Sequence, residues 1–541
     1  MNSLSTTRGR GRGLRIVAGI VGAGLVAGVL GTSLLTTEAR AAAGEPTDLV
    51  LGVGSDETQR KLAWYTSLDT TQVAQLAPAA QVVNGVFPSG ATTVPATGGP
   101  TTSGEYNRFA TLSGLQPNTS YAYRVGSETA WSAIHTFRTQ AFTGDLDLLF
   151  YGDPQIGSSG NVTSDAAGWS STLDVSLAAY PDAEMIFSGG DQVETATSET
   201  QYNAFLTPDA LRRVPFVATN GNHDVGSKAY SQHFNVPNLD PTAGPGTSTT
   251  SGGDYWFTYK DVLFVNLNSN SLDLTSHERF LRDVLAAQGA STAWTVVAFH
   301  HSIYSAGPHS TDTSIVTRRN TWASLFSELG VDLVVQGHDH SYARSYLMRN
   351  GAKADASEPA GASSVTAGPG GVLYLTANSA SGSKYYALKS TKPGYASVMN
   401  QENVRNYTAV EFTGTQVSVK TLRSQAFGAN PVNSVVDQVV LTREGTTPPP
   451  AGQTFTTVGT PTVSGTPRVG HTLTADPGTW NPAPAFTYQW LSNGSPVSGA
   501  TGRTWTLPRN QRGDQVSVRV TGTLTGYTTT DATSSSVTIT R

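Results

Sequence analysis

Acidic, amide and imidazole side chains follow five separate apolar runs in the middle of this chain. The run at 331–335 is followed by Gly337 and then by two histidines one residue apart, although the 541 residues include only ten histidines. The other four runs end in a similar way. The polar residues that follow the five runs are Asp153 and Gln155, Asp191 and Glu194, Asn222 with His223 and Asp224, His300 with His301, and His338 with His340.

These residue types together indicate a metal site. Carboxylates and imidazoles packed side by side lose hydration and repel like charges, and a bound cation removes that cost. Oxygen and imidazole ligands suit zinc, manganese or iron, and the absence of cysteine excludes thiolate sites and cysteine nucleophiles. Glycines stand at the exits of the runs, where a side chain would obstruct the turn or where φ must be positive; they are Gly152, Gly189, Gly190, Gly221 and Gly337.

The segment at 145–443 contains the elements that must position these groups. Its apolar strands alternate with helical stretches at 276–288 and 321–330, which is typical of a layered α/β domain. Ligands bind beyond the carboxyl ends of the strands in open α/β sheets. We therefore expect the five runs to be strands of one sheet that direct their polar residues into one crevice.

The segments on either side have a different pattern. Residues 45–140 contain short alternating strands separated by turns, which predict a β-sandwich. A proline-rich linker at 444–455 precedes a second predicted sandwich at 456–541, whose tryptophans we expect in its core. The predicted fold class is multidomain, with a central α/β layered sandwich flanked by helices and an all-β sandwich at each end.

The net charge of the chain limits its possible partners, and its N-terminal segment indicates its location. A net charge of −5 and a pI near 6.1 give no basic surface for nucleic acid, so no nucleic-acid scaffold role is expected. Four arginines precede the apolar run at 16–35, and Ala39 and Ala41 form a small-x-small cleavage site. Residues 1–41 are therefore predicted to be a signal peptide of a secreted or cell-surface protein. An uncleaved membrane anchor is the open alternative.

The five polar groups, taken in order, resemble the motifs of the calcineurin-like metallophosphoesterases, and within them the purple acid phosphatase branch. The motifs are Asp-x-x, Gly-Asp, Gly-Asn-His, Val-x-x-His and Gly-His-x-His, and "HFNVP" at 233–237 and "YWFTYKDVLFVNLNS" at 255–269 resemble the framework between them. Residues 45–140 resemble the fibronectin type III-like domain that precedes the catalytic domain in plant-type members. Residues 456–541 resemble the immunoglobulin-like modules of bacterial surface proteins.

The resemblance implies two divalent or trivalent metal ions, with iron, zinc and manganese as the candidates. Asp191 would bridge the two ions through its two carboxylate oxygens. His301 would not be a ligand, because the family pattern has its ligand at the first histidine of the pair. The other ligands that the resemblance implies are Asp153 and His340 for the first ion, and Asn222, His300 and His338 for the second.

Two positions depart from the family pattern. The purple branch has a tyrosine three residues after the bridging aspartate, and its bond to iron gives the colour; this chain has Glu194 there. Non-purple relatives often have Asp-x-His in the first motif, whereas this chain has Asp153-Pro154-Gln155. We therefore predict a colourless protein in which Gln155 supplies a carbonyl oxygen to the first ion and Glu194 is not a ligand.

The resemblance implies hydrolysis of a phosphate ester by a hydroxide that bridges the two ions. His223 would stabilise the phosphoryl oxygens, His223 or His309 would protonate the leaving alkoxide, and Asp224 would orient His223. We expect an exported, acid phosphatase-like phosphomonoesterase. The alternatives are a phosphodiesterase or nucleotidase of the same family, and a surface protein with a degenerate phosphatase domain whose C-terminal sandwich contacts cell wall or glycan.

Overall fold

The computed structural model describes residues 44–244, 251–444, 454–482, 484–497, 499–523, 527 and 530–541. The predicted signal peptide and most of the predicted linker lie outside these residues. Within the described ranges, no helix has the length and apolar character needed to cross a bilayer.

The N-terminal part consists of strands in which buried side chains alternate with more exposed ones. Trp64, Tyr123 and Val125 form part of its apolar core. The strands are β1 (Thr47–Val53), β2 (Arg60–Thr66), β3 (Val73–Pro78), β4 (Thr92–Pro95), β5 (Thr97–Pro100), β6 (Tyr106–Leu112), β7 (Ser120–Ser127), β8 (Ala130–Trp131) and β9 (His135–Arg138).

The central part alternates strands with helices in its first half and is mostly strands in its second. Its strands are β10 (Leu146–Tyr151), β11 (Ile186–Ser188), β12 (Phe216–Val217), β13 (Tyr255–Tyr259), β14 (Val262–Asn266), β15 (Trp294–Ala298), β16 (Leu333–Gln336), β17 (Tyr342–Ser345), β18 (Met348–Arg349), β19 (Ala352–Lys353), β20 (Ser364–Ala367), β21 (Leu373–Thr376), β22 (Ala396–Asn400), β23 (Asn406–Phe412), β24 (Gln416–Arg423) and β25 (Val435–Arg443). Its helices are α1 (Val162–Ala179), α2 (Glu199–Leu206), α3 (Ala210–Arg213), α4 (Ala229–His233), α5 (Leu274–Gln288) and α6 (Thr313–Leu329).

Two large sheets pack against each other through a shared apolar core. The first has the order β20-β25-β24-β23-β10-β11-β12-β1-β2-β6-β5, and the second has the order β13-β14-β15-β16-β21-β17-β22. Phe150 and Phe187 from the first sheet pack with Phe264, Val296 and Leu333 from the second. The predicted layered sandwich is confirmed. The expectation that all five site strands share one sheet is wrong, because the first three belong to the first sheet and the last two to the second.

The first sheet continues into the N-terminal strands. β1 lies parallel to β12, with Gly52 opposite Phe216, and it lies antiparallel to β2 on its other side. Side chains support this junction, since the buried His233 ring is stacked between Tyr65 and Tyr202, with centroid distances of 4.2 Å and 4.5 Å. One sheet therefore runs across the boundary that the sequence predicts near residue 140.

The two predicted helices form, and both begin earlier than expected. α5 starts after Asp273, whose side chain accepts a hydrogen bond from the Ser276 amide at 3.2 Å and so caps the helix. α6 begins at Thr313 and ends at Gly330, which adopts a left-handed conformation with φ of 70°. The first turns of α6 are polar, so a search for apolar periodicity does not detect where the helix begins. Its end is marked in the sequence by Gly330.

The C-terminal strands form two small sheets. Trp490 and Val518 are fully buried between them, and Trp480 is 6% exposed. The immunoglobulin-like assignment and the domain boundaries stay predictions. The strands are β26 (Thr462–Gly465), β27 (Thr472–Asp476), β28 (Ala485–Ser492), β29 (Ser495–Pro496), β30 (Thr504–Thr506), β31 (Gln515–Thr523), β32 (Thr530–Thr533) and β33 (Val537–Thr538).

Candidate metal centre

Six of the predicted metal ligands meet where the strands of the two sheets end. The first sheet contributes the residues after β10, β11 and β12, and the second contributes those after β15 and β16. Parallel pairing of β10 with β11, of β11 with β12 and of β15 with β16 brings the carboxyl ends of these strands to the same edge. The six residues are Asp153, Asp191, Asn222, His300, His338 and His340.

One half of the cluster is centred on the Asn222 side chain. Its Oδ1 lies 3.0 Å from Nε2 of His300 and 2.9 Å from Nδ1 of His338. These two imidazole nitrogens are 3.2 Å apart, and Oδ2 of Asp191 is also 3.2 Å from Nε2 of His300. Two oxygens and two nitrogens thus converge on one point. These four residues are the ones that the sequence assigns to the second ion, with Asp191 as the bridge.

The other half is centred on Asp153, which is fully buried. Its Oδ2 lies 3.1 Å from Nε2 of His340, and both of its oxygens accept hydrogen bonds from the His338 amide at 3.0 Å and 2.8 Å. Donor atoms of Asp153, Asp191 and His300 all lie within 4.8 Å of one another. The two halves therefore form one continuous set of ligand atoms that Asp191 connects.

Gln155 belongs to the same set. Its side chain is 1% exposed, and its Oε1 is buried without a hydrogen-bond partner among the described residues. The backbone amide of Gln155 donates a hydrogen bond to the backbone carbonyl of Asp191 at 2.7 Å, which holds the residue against the cluster. A buried carbonyl oxygen without a donor is costly, and a cation would satisfy it.

Left-handed backbone is concentrated at these residues. The φ angles are 36° at Gln155, 47° at Asp191, 76° at His338 and 41° at His340. Residues other than glycine rarely adopt this region, and such conformations are concentrated at functional sites. The fold thus holds four site residues in a conformation that their sequence alone does not favour.

Two glycines leave room for the carboxylates. A Cβ at Gly221 would lie 2.0 Å from Oδ1 of Asp191, and one at Gly337 would lie 2.1 Å from Oδ1 of Asp153. Of the five glycines that the sequence singles out, only Gly190 has a positive φ, at 102°. Positions 221 and 337 therefore require glycine because a carboxylate approaches closely, and not because of the backbone conformation.

Neighbouring charges oppose the effect of burial at Asp191 and at His300. Burial raises the pKa of Asp191, but the neighbouring His300 and His223 outweigh it and hold this pKa below its usual range. Burial lowers the pKa of His300, but Asp191 and Asp153 outweigh it and raise this pKa to about 10. The two carboxylates thus favour positive charge beside them, whereas burial and the neighbouring histidines lower the pKa of His338.

His223 stands beside the cluster and is partly open to solvent. Its amide donates to Oδ1 of Asp191 at 2.8 Å, and its Nδ1 lies 2.8 Å from the carbonyl of Glu194 and 3.7 Å from the Glu194 carboxylate. Asp224 is fully buried, and its oxygens accept hydrogen bonds from the amides of Gly221 and Gln192. The expectation that Asp224 orients His223 is wrong, because Glu194 makes the contact with the ring and Asp224 fixes the turn.

His309 lies near the ligands but further out. Its ring centroid is 4.7 Å from that of His338, and its Nδ1 lies 2.9 Å from the Asp312 carboxylate. His301 lies behind the ligands, where its Nδ1 is 2.9 Å from the Ser269 hydroxyl. The structure therefore brings His223 and His309 to the ligand set, with His223 at Asp191 and His309 at His338.

The sequence did not indicate two contacts at this site, and it left Arg318, a candidate to steady phosphate, as a solvated surface residue by default. The backbone carbonyl of Glu194 contacts His223. Arg318 is instead 2% exposed and donates to the carbonyl of Ser269. The loop that contains Lys384 and Tyr386 contacts His340. A carbonyl has no sequence signal, and single cations or tyrosines in loops are too common to be informative.

The donor set fits a pair of metal ions. Asp153, Gln155 and His340 would hold the first ion, Asn222, His300 and His338 would hold the second, and Asp191 would contact both. Carboxylate, amide and imidazole donors together suit iron, zinc or manganese.

Comparison with known proteins defines the class. Residues 46–139 match the N-terminal domain of purple acid phosphatases, and residues 146–342 match the calcineurin-like phosphoesterase family. Residues 146–342 therefore carry a calcineurin-like phosphoesterase domain, and residues 46–139 carry the N-terminal domain of purple acid phosphatases.

Individual relatives are distant. An uncharacterized protein of Mycobacterium tuberculosis is 26% identical over 285 residues, which cover 46% of this chain and 53% of that protein. Purple acid phosphatase 15 of Arabidopsis thaliana is 25% identical over 277 residues, 44% of this chain and 49% of its own. The chain thus spans about half the length of the curated relatives that it matches.

Solved structures share the fold. A purple acid phosphatase, PPD1 from yellow lupin (Lupinus luteus) seeds, has a TM-score of 0.58 at 14% identity and covers 74% of this chain and 75% of its own. PhoD has a TM-score of 0.51 at 12% identity and covers 75% of this chain and 92% of its own. Both likenesses support the architecture of a layered catalytic sandwich with an N-terminal sandwich.

Proposed function

We propose that this chain is an exported, metal-dependent phosphatase that hydrolyses phosphomonoesters at a dinuclear centre. The observation that carries the proposal is the convergence of six buried or half-buried ligand side chains from two sheets. The buried Oε1 of Gln155, which has no partner among the described residues, supports it further. No cysteine is available for a covalent thiol mechanism, and no activated serine is needed in this class of site.

Two bound metal ions would polarise the phosphoryl oxygens and lower the pKa of a water molecule between them. The chain itself positions the substrate and moves a proton. Because Glu194 engages Nδ1 of His223, the remaining nitrogen of this ring is the one available to the phosphoryl oxygens or to the leaving alkoxide. His309, whose ring contacts that of His338, is the alternative proton donor. Asp224 supports this geometry through the turn at Gly221.

Export and surface attachment are further parts of the proposal. The arginines before the apolar run at 16–35 and the small residues near Ala41 support a cleaved signal peptide. Sequencing the N-terminus of the protein recovered from the culture medium tests this, and a cell-associated chain that keeps residues 1–41 contradicts it. Contact of the C-terminal sheets with cell wall or glycan is tested by pull-down on isolated walls.

Metal analysis combined with two substrates tests the activity. The purified protein is expected to contain two metal ions and to hydrolyse para-nitrophenyl phosphate faster than methyl para-nitrophenyl phosphate. Faster hydrolysis of the diester would favour the phosphodiesterase alternative. Absence of both metal and hydrolysis would favour a surface protein with a degenerate phosphatase domain.

The Asp191→Asn substitution tests the bridging role. An amide lacks the negative charge that two cations require, so we expect loss of both metal and turnover. The measurements are metal content by mass spectrometry and the initial rate with para-nitrophenyl phosphate. The matched control is Asp182→Asn, which changes an exposed aspartate and is expected to keep both properties. Full activity of Asp191→Asn would refute the bridge.

A further inference from the structure

A loop between β21 and β22 lies against the candidate metal centre. Its Lys384 carbonyl accepts a hydrogen bond from Nδ1 of His340 at 3.1 Å, which leaves Nε2 of His340 facing Asp153. Gln401 fixes the same loop, because its Nε2 donates to the carbonyls of His340 at 2.6 Å and Tyr386 at 2.9 Å. The loop is therefore bound directly to a candidate metal ligand.

Tyr386 contacts both the candidate ligand His340 and His309. Its ring centroid is 5.2 Å from that of His340 and 5.2 Å from that of His309, and both contacts are edge-on. The Lys384 ammonium lies 5.1 Å from the centroid of this ring. Tyr386 thus connects the Lys384 cation to the part of the site that contains His340 and His309.

The charge of Lys384 is available to a ligand. No carboxylate lies within 4.0 Å of its ammonium in the part of the chain that the structure describes, and its side chain is half-buried. By contrast, Lys260 forms an ion pair with Glu184. Burial lowers the pKa of Lys384, but its interaction with Tyr386 and the charges of Glu194 and Asp191 outweigh it and raise this pKa. Lys384 is therefore a cation that packs on Tyr386, whose ring lies 5.2 Å from those of His340 and His309.

We propose that Lys384 is a specificity-determining residue that favours doubly charged phosphomonoesters over singly charged phosphodiesters. The proposal rests on the proposed phosphatase function and names its substrate class. The attraction between a cation and an anion grows in proportion to the charge of the anion, and it is stronger near a protein surface than in bulk water. A phosphomonoester carries close to two negative charges at pH 7, because its second pKa is about 6, whereas a diester carries one.

Substitution of Lys384 tests the proposal with three variants of the full chain. Lys384→Gln removes the charge, and Lys384→Arg keeps it. Lys389→Gln removes a half-buried cation of the same loop whose ammonium donates to the Thr311 hydroxyl at 3.0 Å. The readout is the ratio of kcat/KM for para-nitrophenyl phosphate to that for methyl para-nitrophenyl phosphate. We expect Lys384→Gln to lower this ratio by about ten-fold. Lys384→Arg and Lys389→Gln should leave it within about three-fold of wild type.

Binding of inorganic phosphate to the metal-loaded protein gives a second readout that needs no turnover. Lys384→Gln should weaken phosphate binding at pH 8 by about ten-fold, and Lys384→Arg should restore it. An unchanged substrate ratio, or equal phosphate affinity in wild type and Lys384→Gln, overturns the role of Lys384. If the wild type hydrolyses neither ester, the proposed function fails, and the phosphate affinities still decide whether Lys384 binds anions.

Discussion

Side chains at the candidate metal centre are held by unusual backbone and by glycines that admit carboxylates. Gln155, Asp191, His338 and His340 all adopt positive φ, which costs on the order of 1–3 kcal/mol at each position. The surrounding sheets must supply this energy. The ligands are therefore fixed before any metal or substrate binds, which reduces the loss of entropy on binding.

Gly221→Ala tests this tight fit. The new methyl group would overlap Oδ1 and the backbone nitrogen of Asp191, at 2.0 Å and 2.2 Å, so the carboxylate must move. We expect metal affinity to fall by about ten-fold or more, because changes that reorient a ligand typically have this effect. Titration with manganese or zinc measures it. Gly414→Ala is the control, since nothing lies within 4 Å of its added methyl group, and wild-type affinity in Gly221→Ala would contradict the argument.

The sequence predicts site residues that local motifs mark, but not features that residues distant in sequence determine. The six candidate ligands follow apolar runs, so local sequence indicated one polar site, and the resemblance to the family implied which residues would be the ligands. The positive φ angles at Asp191 and His340 arise from distant packing and leave no local mark. The same reason explains why Asp224 was assigned to orient His223, a contact that Glu194 makes instead.

Strand pairing creates a second acidic group away from the metal centre. Asp147 on β10 lies opposite Glu411 on β23, and Glu184 is a further neighbour. Burial and these like charges raise the pKa of Asp147 to about 7. Like charges directly opposite each other in a sheet are destabilising when both are ionised. The pairing of β10 with β23 therefore favours the protonated form of Asp147 over much of the acid pH range.

Asp147→Asn should change how stability depends on pH. The folded pKa is raised above the unfolded value of 3.8, so the folded state binds the extra proton between about pH 4 and pH 7, and wild-type stability falls as pH rises through this window. The amide cannot ionise, so the variant gains stability relative to wild type by up to about 1.4 kcal/mol per pH unit within it. Denaturant unfolding from about pH 5 to pH 8 measures the difference.

The control for this experiment is Asp182→Asn, which replaces an exposed aspartate and is measured over the same pH range. A constant difference between wild type and Asp147→Asn across the same range would show that Asp147 titrates normally in the folded protein.

Sheet membership was the main error of the sequence prediction for the strands. A strand that ends in a polar residue has the same sequence pattern in either layer of a sandwich. The assignment of β15 and β16 to the second sheet depends on their pairing with β14 and β21, which are distant in sequence. Helices were predicted better, because the hydrogen bonds of α5 and its Asp273 cap are local.

The two flanking strand regions have different relations to the catalytic sandwich. β1, β2, β5 and β6 extend its first sheet, whereas the described C-terminal strands hydrogen-bond only among themselves. Alternating patterns and proline-rich segments indicate where strands and linkers lie. They do not reveal that β1 pairs with β12, so the sequence did not predict that the first sheet continues into the N-terminal sandwich.

Truncation at the C-terminal end and truncation at the N-terminal end should therefore differ in their effect on thermal stability. A chain that ends at Glu444 is expected to keep its Tm and its rate with para-nitrophenyl phosphate, because every strand of the two large sheets is retained. A chain that begins at Phe142 loses the partner of β12 and the Tyr65–His233 stack, so we expect a large fall in Tm and aggregation through the exposed strand edge. Equal thermal stability of the two truncated proteins would contradict this view of the sheet.

Pairing of β1 with β12 also orders events while the protein is being made. Gly52 leaves the ribosome long before its partner Phe216, so the nascent N-terminal strands have one edge without hydrogen-bond partners during that interval. Such long-range pairing slows folding, and an unpaired edge attracts other chains. A holding chaperone that covers β1 until the catalytic half has been synthesised would therefore raise the yield of native protein, and slowing translation between residues 140 and 216 would lower it.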